Sequence, residues 1–239
     1  MTTIRSFLAV TLVTVLAACS PAKNPEAADP LESWNRGVFA FNEGVDDFLL
    51  EPVARGYRYI TPKPVRTGVS NFFGNLREPA TFANSLLQGN VDGALTSFWR
   101  FAINSTIGLG GIIDVADSST DLKKHKEDLG QTFGAWGWTD STYFVLPILG
   151  PTTTRDMLGM VGDYYAHPTT YYLETDDQII YRVAEGISQR EALLELTDDV
   201  AETSLDPYAT YRSLYLQRRD ALISNRAATD ADVTDAQTK

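Results

Sequence analysis

The polarity of the chain changes in blocks. From Pro79 to Ile113 the only charges are Asp92 and Arg100. Within that block Phe82, Ala83, Leu86 and Leu87 share one helical face, and Thr81, Asn84, Ser85 and Gln88 share the other, which predicts a short amphipathic helix opened by Pro79. Gly89-Asn90 interrupts the pattern, and Asn90 is placed to cap a second helix. That helix is apolar almost all round (Val91, Ala94, Leu95, Phe98, Trp99, Phe101, Ala102, Ile103). Only Thr96, Ser97, Arg100 and Asn104 form a narrow polar stripe. A helix of this kind is either the core of a sizeable protein or a membrane element.

The flanking segments repeat the theme. Asp29-Pro30 reads as a cap followed by a first helical position, and Trp34, Val38, Phe41, Val45, Phe48 and Leu49 recur at steps of three and four, predicting a helix that ends before Pro52. The proline-rich stretch 51–64 reads as loop or a short turn of helix. Pro64 opens a helix with Val65, Val69, Phe72, Phe73 and Leu76 inward, closed by Arg77-Glu78. From Asp114 to Asp128 eight of fifteen residues are charged, so this stretch reads as a solvated excursion, with His125 a surface residue within it. The chain then returns to a run, Leu129 to Thr154, whose one charge is Asp140 and whose Trp136, Trp138, Tyr143 and Phe144 suit a membrane–water interface. From Glu174 onward charge rises again. Ile179, Ile180, Val183, Ile187 and Leu194 read as ordinary amphipathic packing, and Asp206-Pro207-Tyr208 opens a last helix bearing Tyr211, Leu214, Tyr215, Arg218 and Arg219. No run of eighteen apolar residues occurs, so interfacial helices fit better than spanning ones.

The N-terminus changes the picture most. Arg5 precedes the twelve-residue apolar run Phe7 to Ala18, too short for a stop-transfer helix and right for a signal peptide. Leu16-Ala17-Ala18-Cys19 resembles the bacterial lipobox, and Cys19 is the only cysteine. A multiply acylated cysteine is a lasting membrane anchor, because each buried CH₂ contributes about 0.8 kcal/mol. Ser20 rather than Asp follows, which by resemblance to enterobacterial sorting favours the outer membrane. The expected organisation is a signal peptide over 1–18, a lipidated flexible tether over 19–29, a helical domain over 30–226 and a disordered acidic tail over 227–239. The formal net charge of −11 argues against nucleic acid, and two histidines and one cysteine leave little for a metal site.

Several ordered motifs then carry a resemblance. They are Asp29-Pro30-Leu31-Glu32 with Asn35-Arg36, Phe41-Asn42, Ser70-Asn71-Phe72, Gly74-Asn75-Leu76, Glu78-Pro79 and Gln88-Gly89. Next come Arg100-Phe101, Asn104 to Gly111, Asp114-Val115-Ala116, Phe133-Gly134 and Leu146-Pro147. Gly150-Pro151, Arg155-Asp156, Asp206-Pro207-Tyr208 and Arg212 complete the set. Together they resemble the MlaA (VacJ) family from Cys19 to about Arg219. The resemblance implies an all-α, ring-shaped, monomeric protomer in the periplasmic leaflet of the Gram-negative outer membrane, beside a trimeric porin. It implies removal of mislocalised phospholipids from the outer leaflet and their passage to a soluble periplasmic carrier, with no cofactor beyond acyl chains on Cys19. It also implies a mobile element around Phe133 to Tyr143, with Gly134 and Gly137 as its hinge, and a gating role for Phe41-Asn42. The last helix is expected on the periplasmic side.

The polar stripes bear on that mechanism. Thr81, Asn84, Ser85 and Gln88, with Thr96, Ser97, Arg100 and Asn104, either line a near-neutral path for lipid headgroups or pack against neighbouring helices. Two other classes stay open. A lipid-anchored hydrolase needs an activated nucleophile, yet no G-x-S-x-G occurs and no catalytic constellation stands out; no residue is assigned a catalytic or metal-binding role. A structural tether has no need of so large an apolar surface.

Overall fold

The computed structural model describes residues 29–120 and 122–224. The signal peptide, Cys19, the tether up to residue 28 and the acidic tail lie outside them. Among the described residues the fold is helical apart from one short hairpin.

The first helix, α1 (Glu32–Val45), passes without a break through a π-helical turn (Asp46–Leu50) into α2 (Glu51–Ile60). The stretch expected as loop is therefore helical. Pro52 follows directly on the π-helical turn, where the backbone bonding has already shifted from the α pattern, and the helix continues through it. Pro62 ends α2's run, and α3 (Lys63–Leu87) follows as one long helix. Two helices were expected here, divided at Pro79. Instead Pro79 lies inside α3, where it forfeits one backbone bond and disfavours helix at Glu78. Tertiary contacts outweigh that local preference: Glu78 and Ala80 on either side of it are buried. Gly89 takes φ +76 to turn the chain, Asn90 accepts from Gly93 N–H at 2.9 Å, and α4 (Val91–Thr106) returns antiparallel against α3.

Beyond the left-handed turn at Leu109, Gly110 and Gly111 comes α5 (Val115–Ser119), then an extended strap, 122–128. Then α6 (Leu129–Ala135) leads to β1 (Tyr143–Leu146) and β2 (Gly150–Thr153), an antiparallel pair with Tyr143 opposite Thr153. The remaining helices are α7 (Thr154–Ala166), α8 (Thr169–Tyr172), α9 (Thr175–Ala192), α10 (Leu194–Thr203) and α11 (Pro207–Ile223). The hairpin was not expected. Two asparagines two turns apart on α1 hold it: Asn35 donates to Tyr143 O at 3.4 Å and Asn42 to Leu146 O at 2.9 Å. Seven helical residues rise about 10.5 Å and three strand residues about 10 Å, so the two amides reach the first and last carbonyls of β1. Asn35 Oδ1 also accepts from Val145 N–H and Asn42 Oδ1 from Ile148 N–H, at 2.9 and 2.7 Å.

Contacts run in a closed circuit. The π turn joins α1 to α2, α2 packs on α9, α9 on α3, α3 on α6, α6 on α11, α11 on β2, and β1 returns to α1. Where α6 crosses α7 the backbones nearly touch, since a Cβ on Gly159 would lie 2.3 Å from Gly130 N.

The distribution of polarity is the reverse of a water-soluble domain's. Among the described residues ten hydrophobic ones are buried, against twenty polar or charged ones. Phe48, Ile60, Phe98, Trp99, Ile107, Ile148 and Leu149 are among many large apolar side chains left exposed. On α9, Ile179, Ile180 and Val183 point outward while Tyr181, Glu185, Ser188 and Glu191 are buried; of the residues expected to pack, Ile187 is half-buried and Leu194, just beyond α9, is fully buried. Among the described residues no helix is long and apolar enough to cross a membrane.

Candidate functional site

The polar sides of α3 and α4 face each other. Arg100 is only 1% exposed and is fully engaged: Nε donates to Glu78 Oε1 at 2.9 Å, one terminal nitrogen to Asp114 at 2.6 Å, the other to Leu122 O at 2.6 Å. Asn104 donates to Asp114 Oδ1 at 2.9 Å and accepts from Ala116 N–H at 3.0 Å, which fixes α5 on α4. Burial favours the neutral acid at Asp114, but the Arg100 and Asn104 hydrogen bonds outweigh it and hold the carboxyl below the usual range. At Glu78 burial wins instead, and its carboxyl is pushed up in spite of Arg100.

The strap 122–128 lies over this seam. The expected solvated excursion is exposed at Asp117 to Thr120, Lys123 and Lys126, while other polar groups of the strap bond inward over the seam. His125 Nε2 sits 3.4 Å from Ser85 Oγ and 3.3 Å from Ser97 Oγ. Burial pushes its imidazole pKa down, so His125 is a half-buried bridge between α3 and α4 and not a surface residue. Gln88 donates to Glu127 at 2.9 Å and to Thr132 Oγ1 at 3.2 Å. Beyond the strap a second charged knot joins α6, α7 and α11. Arg219 meets Asp128 at 2.6 Å and Asp156 at 2.7 Å, and Tyr215 donates to Asp156 at 2.6 Å. Next to it Asp163 accepts from Leu129 N–H at 3.0 Å and from Asn84 at 3.2 Å. Burial first, and the nearby Asp128 charge as well, push Asp163 up to about 6.

A cavity of about 80 Å³, partly open to solvent, lies where α3, the strap and α9 meet. Arg77, Glu78, Thr81, Lys124, His125 and Glu185 are among the residues lining it. Arg77 is tied to Glu185 at 2.8 Å. Lys124 reaches over α3 at Gly74, where a Cβ would lie 2.4 Å from its Nζ. This lining is charged, in contrast to the near-neutral path expected from the stripes.

Of the stripe residues, only Thr81 faces the cavity. Asn84, Ser85, Ser97, Arg100 and Asn104 are buried in the hydrogen bonds just described, Gln88 is half-buried, and Thr96 is half-buried on α4. The structure brings Ser85 and Ser97 together through His125, and joins Arg100 to Asn104 through Asp114. Phe41 is exposed on α1, and Asn42 is committed to the hairpin. Gly134 is buried with Ile223 of α11 only 2.9 Å from where its Cβ would be, and Gly137 takes φ +105 at the turn after α6. Lys124 and Glu185 were not singled out from sequence: the charge run hid the first, and the apolar spacing of α9 drew attention to the opposite face. Asp46, Asp47 and Glu51 cluster closely enough to hold a cation, but Arg190 already supplies the positive charge, 2.7 Å from Asp46 and 3.6 Å from Glu51.

Comparison with known proteins adds relatives to this geometry. The family model described as MlaA lipoprotein matches residues 27–222. An uncharacterised protein of Rickettsia bellii is 39% identical over 83% of this chain and 78% of its own length. The "Intermembrane phospholipid transport system lipoprotein MlaA" of Escherichia coli is 36% identical over 87% of this chain and 84% of its own. A solved structure described as "Structural basis for maintenance of bacterial outer membrane lipid asymmetry" superimposes with a TM-score of 0.73 at 38% identity, covering 82% of this chain and 99% of that one.

Proposed function

The chain belongs to the MlaA lipoprotein family, and from that premise we propose that it removes phospholipids from the outer leaflet of the outer membrane and delivers them towards the periplasm. The observation that carries this reading is the inverted polarity. An apolar outer surface and a buried polar seam suit a body whose surroundings are acyl chains and whose interior accommodates headgroups. The charged cavity between α3, the strap and α9 gives a headgroup somewhere to sit while its tails remain in hydrocarbon.

The finer parts of the proposal have their own support. Acylation of Cys19, suggested by the lipobox, would hold the chain to the membrane permanently, and Ser20 favours the outer membrane. Residence in one leaflet is supported by exposed apolar residues such as Trp99, Ile107 and Leu149 spread over several short elements, none of the described helices being long and apolar enough to cross a membrane. A trimeric porin beside it and a soluble lipid carrier below it are the partners proposed for entry and exit, resting on the family resemblance. The relatives with assigned roles are transport lipoproteins, and the proposal assigns no chemical step to any residue.

The test is a deletion strain. Surface phosphatidylethanolamine, labelled by a membrane-impermeant amine reagent, should rise several-fold in cells lacking the protein and return to baseline on complementation. Unchanged labelling in the deletion strain would overturn the reading.

A further inference from the structure

Two groups in the cavity are short of direct bonds among the described residues. Glu78 is 3% exposed and lines the cavity; Oε1 accepts from Arg100, the nearby Ser97 hydroxyl helps to steady the carboxylate, and Oε2 is buried with no well-formed hydrogen bond among the described residues. Arg100 is shared between Glu78 and Asp114, so the buried trio carries one surplus negative charge. Lys124 forms no ion pair among the described residues, although it is near enough to stabilise the charge on Glu78. The other lining pair, Arg77 with Glu185, is already neutral. A buried carboxylate oxygen left half-satisfied in a cavity is costly, and such an exception asks for a missing partner.

A ligand that satisfies both groups must carry a negative and a positive charge a few ångströms apart. Inorganic phosphate meets Lys124 and Lys126 but brings no cation to Glu78. A glycerol headgroup offers no cation to Glu78. A phosphodiester followed by a primary ammonium offers both, with N–H donors for the unpartnered oxygen, and its dipole lies opposite to that of the Lys124–Glu78 couple. We propose that the cavity is a headgroup subsite for zwitterionic phospholipids bearing a primary ammonium, with Lys124 facing the phosphodiester and Glu78 Oε2 receiving the ammonium. The inference rests on the phospholipid-transport reading and adds a headgroup selectivity to it. Gly74 belongs to the same device, since only a residue without a Cβ lets the Lys124 ammonium lie against α3.

The test uses the full-length protein in mild-detergent micelles doped with phosphatidylethanolamine or phosphatidylglycerol, with bound lipid counted by native mass spectrometry. Wild type should hold phosphatidylethanolamine about tenfold more tightly than phosphatidylglycerol, the scale of one charge-assisted hydrogen bond. Lys124→Gln should weaken both lipids alike, and Glu78→Gln should lower phosphatidylethanolamine to the phosphatidylglycerol level. Glu78 also anchors Arg100, so Gly74→Ala serves as a second variant: it displaces the Lys124 ammonium, leaves Glu78 in place and should reproduce Lys124→Gln. Equal binding of the two lipids by wild type, or Lys124→Gln without effect, overturns the subsite alone. Failure of wild type to bind either lipid overturns the transport reading and the subsite with it.

Discussion

Arg100 shows how much one side chain can organise. From sequence it is one member of a polar stripe; in the fold it joins α3, α5 and the strap through Glu78, Asp114 and Leu122 O. Replacing it strands two carboxylates in a buried seam, so Arg100→Met should cost about 3–5 kcal/mol, the scale of breaking a buried ion pair from one side. Denaturant titration in detergent, with far-UV circular dichroism as the readout, measures it. Asp163 gives a pH signature of known sign. Its folded pKa, about 6, lies above the ordinary aspartate value, so the charged form is disfavoured by folding and its stabilising contribution, complete below about pH 4, is lost as pH rises through 6. Asp163→Asn should remove this dependence. Wild type should therefore be more stable relative to the variant at pH 4 than at pH 7, by comparison of denaturation midpoints. Residue types such as these were legible in the sequence. Their pairings were not, because Arg219 finds Asp128 and Asp156 across intervals that no local pattern encodes.

Among the elements, the hairpin is the clearest case of a local signal overruled by a distant one. Tyr143 to Thr153 has little of the alternation that marks a strand pair, and its order comes from Asn35 and Asn42 on α1. Asn35→Ala leaves the buried amide of Val145 without an acceptor, a loss of about 1–3 kcal/mol. Hydrogen exchange should accelerate through 143–153 and leave α3 and α4 unchanged; uniform acceleration would mean that the asparagine supports the whole fold. The sequence was informative at helix caps, as at Asn90 and Asp206, where a side chain acts within three residues of itself. It misled at Pro52 and Pro79, since proline penalises a helix by a few kcal/mol that packing can outweigh.

Taken as one body, the molecule exposes what it should hide from water. Periodicity located apolar faces correctly on α4 and α9 but could not say which way they point, since a helix stripe has the same spacing whether it meets a core or a lipid. The cavity was less legible than the fold: its lining comes from three segments separated by up to about a hundred residues, joined only by tertiary contact. A protein freed of its anchor by Cys19→Ser should still partition into detergent and aggregate without it. A monodisperse monomer in buffer would show that the outer faces need no lipid. The same arrangement has a calorimetric consequence. Hydration of apolar surface raises the heat capacity on unfolding, by about 0.45 cal/mol/K per Å², while polar surface lowers it by about 0.26. An interior stitched by guanidinium, carboxylate and amide groups uncovers more of the second kind than usual. The melting endotherm of this lipoprotein should show little step between its two baselines, and its stability should fall almost linearly with temperature instead of passing through a maximum near room temperature.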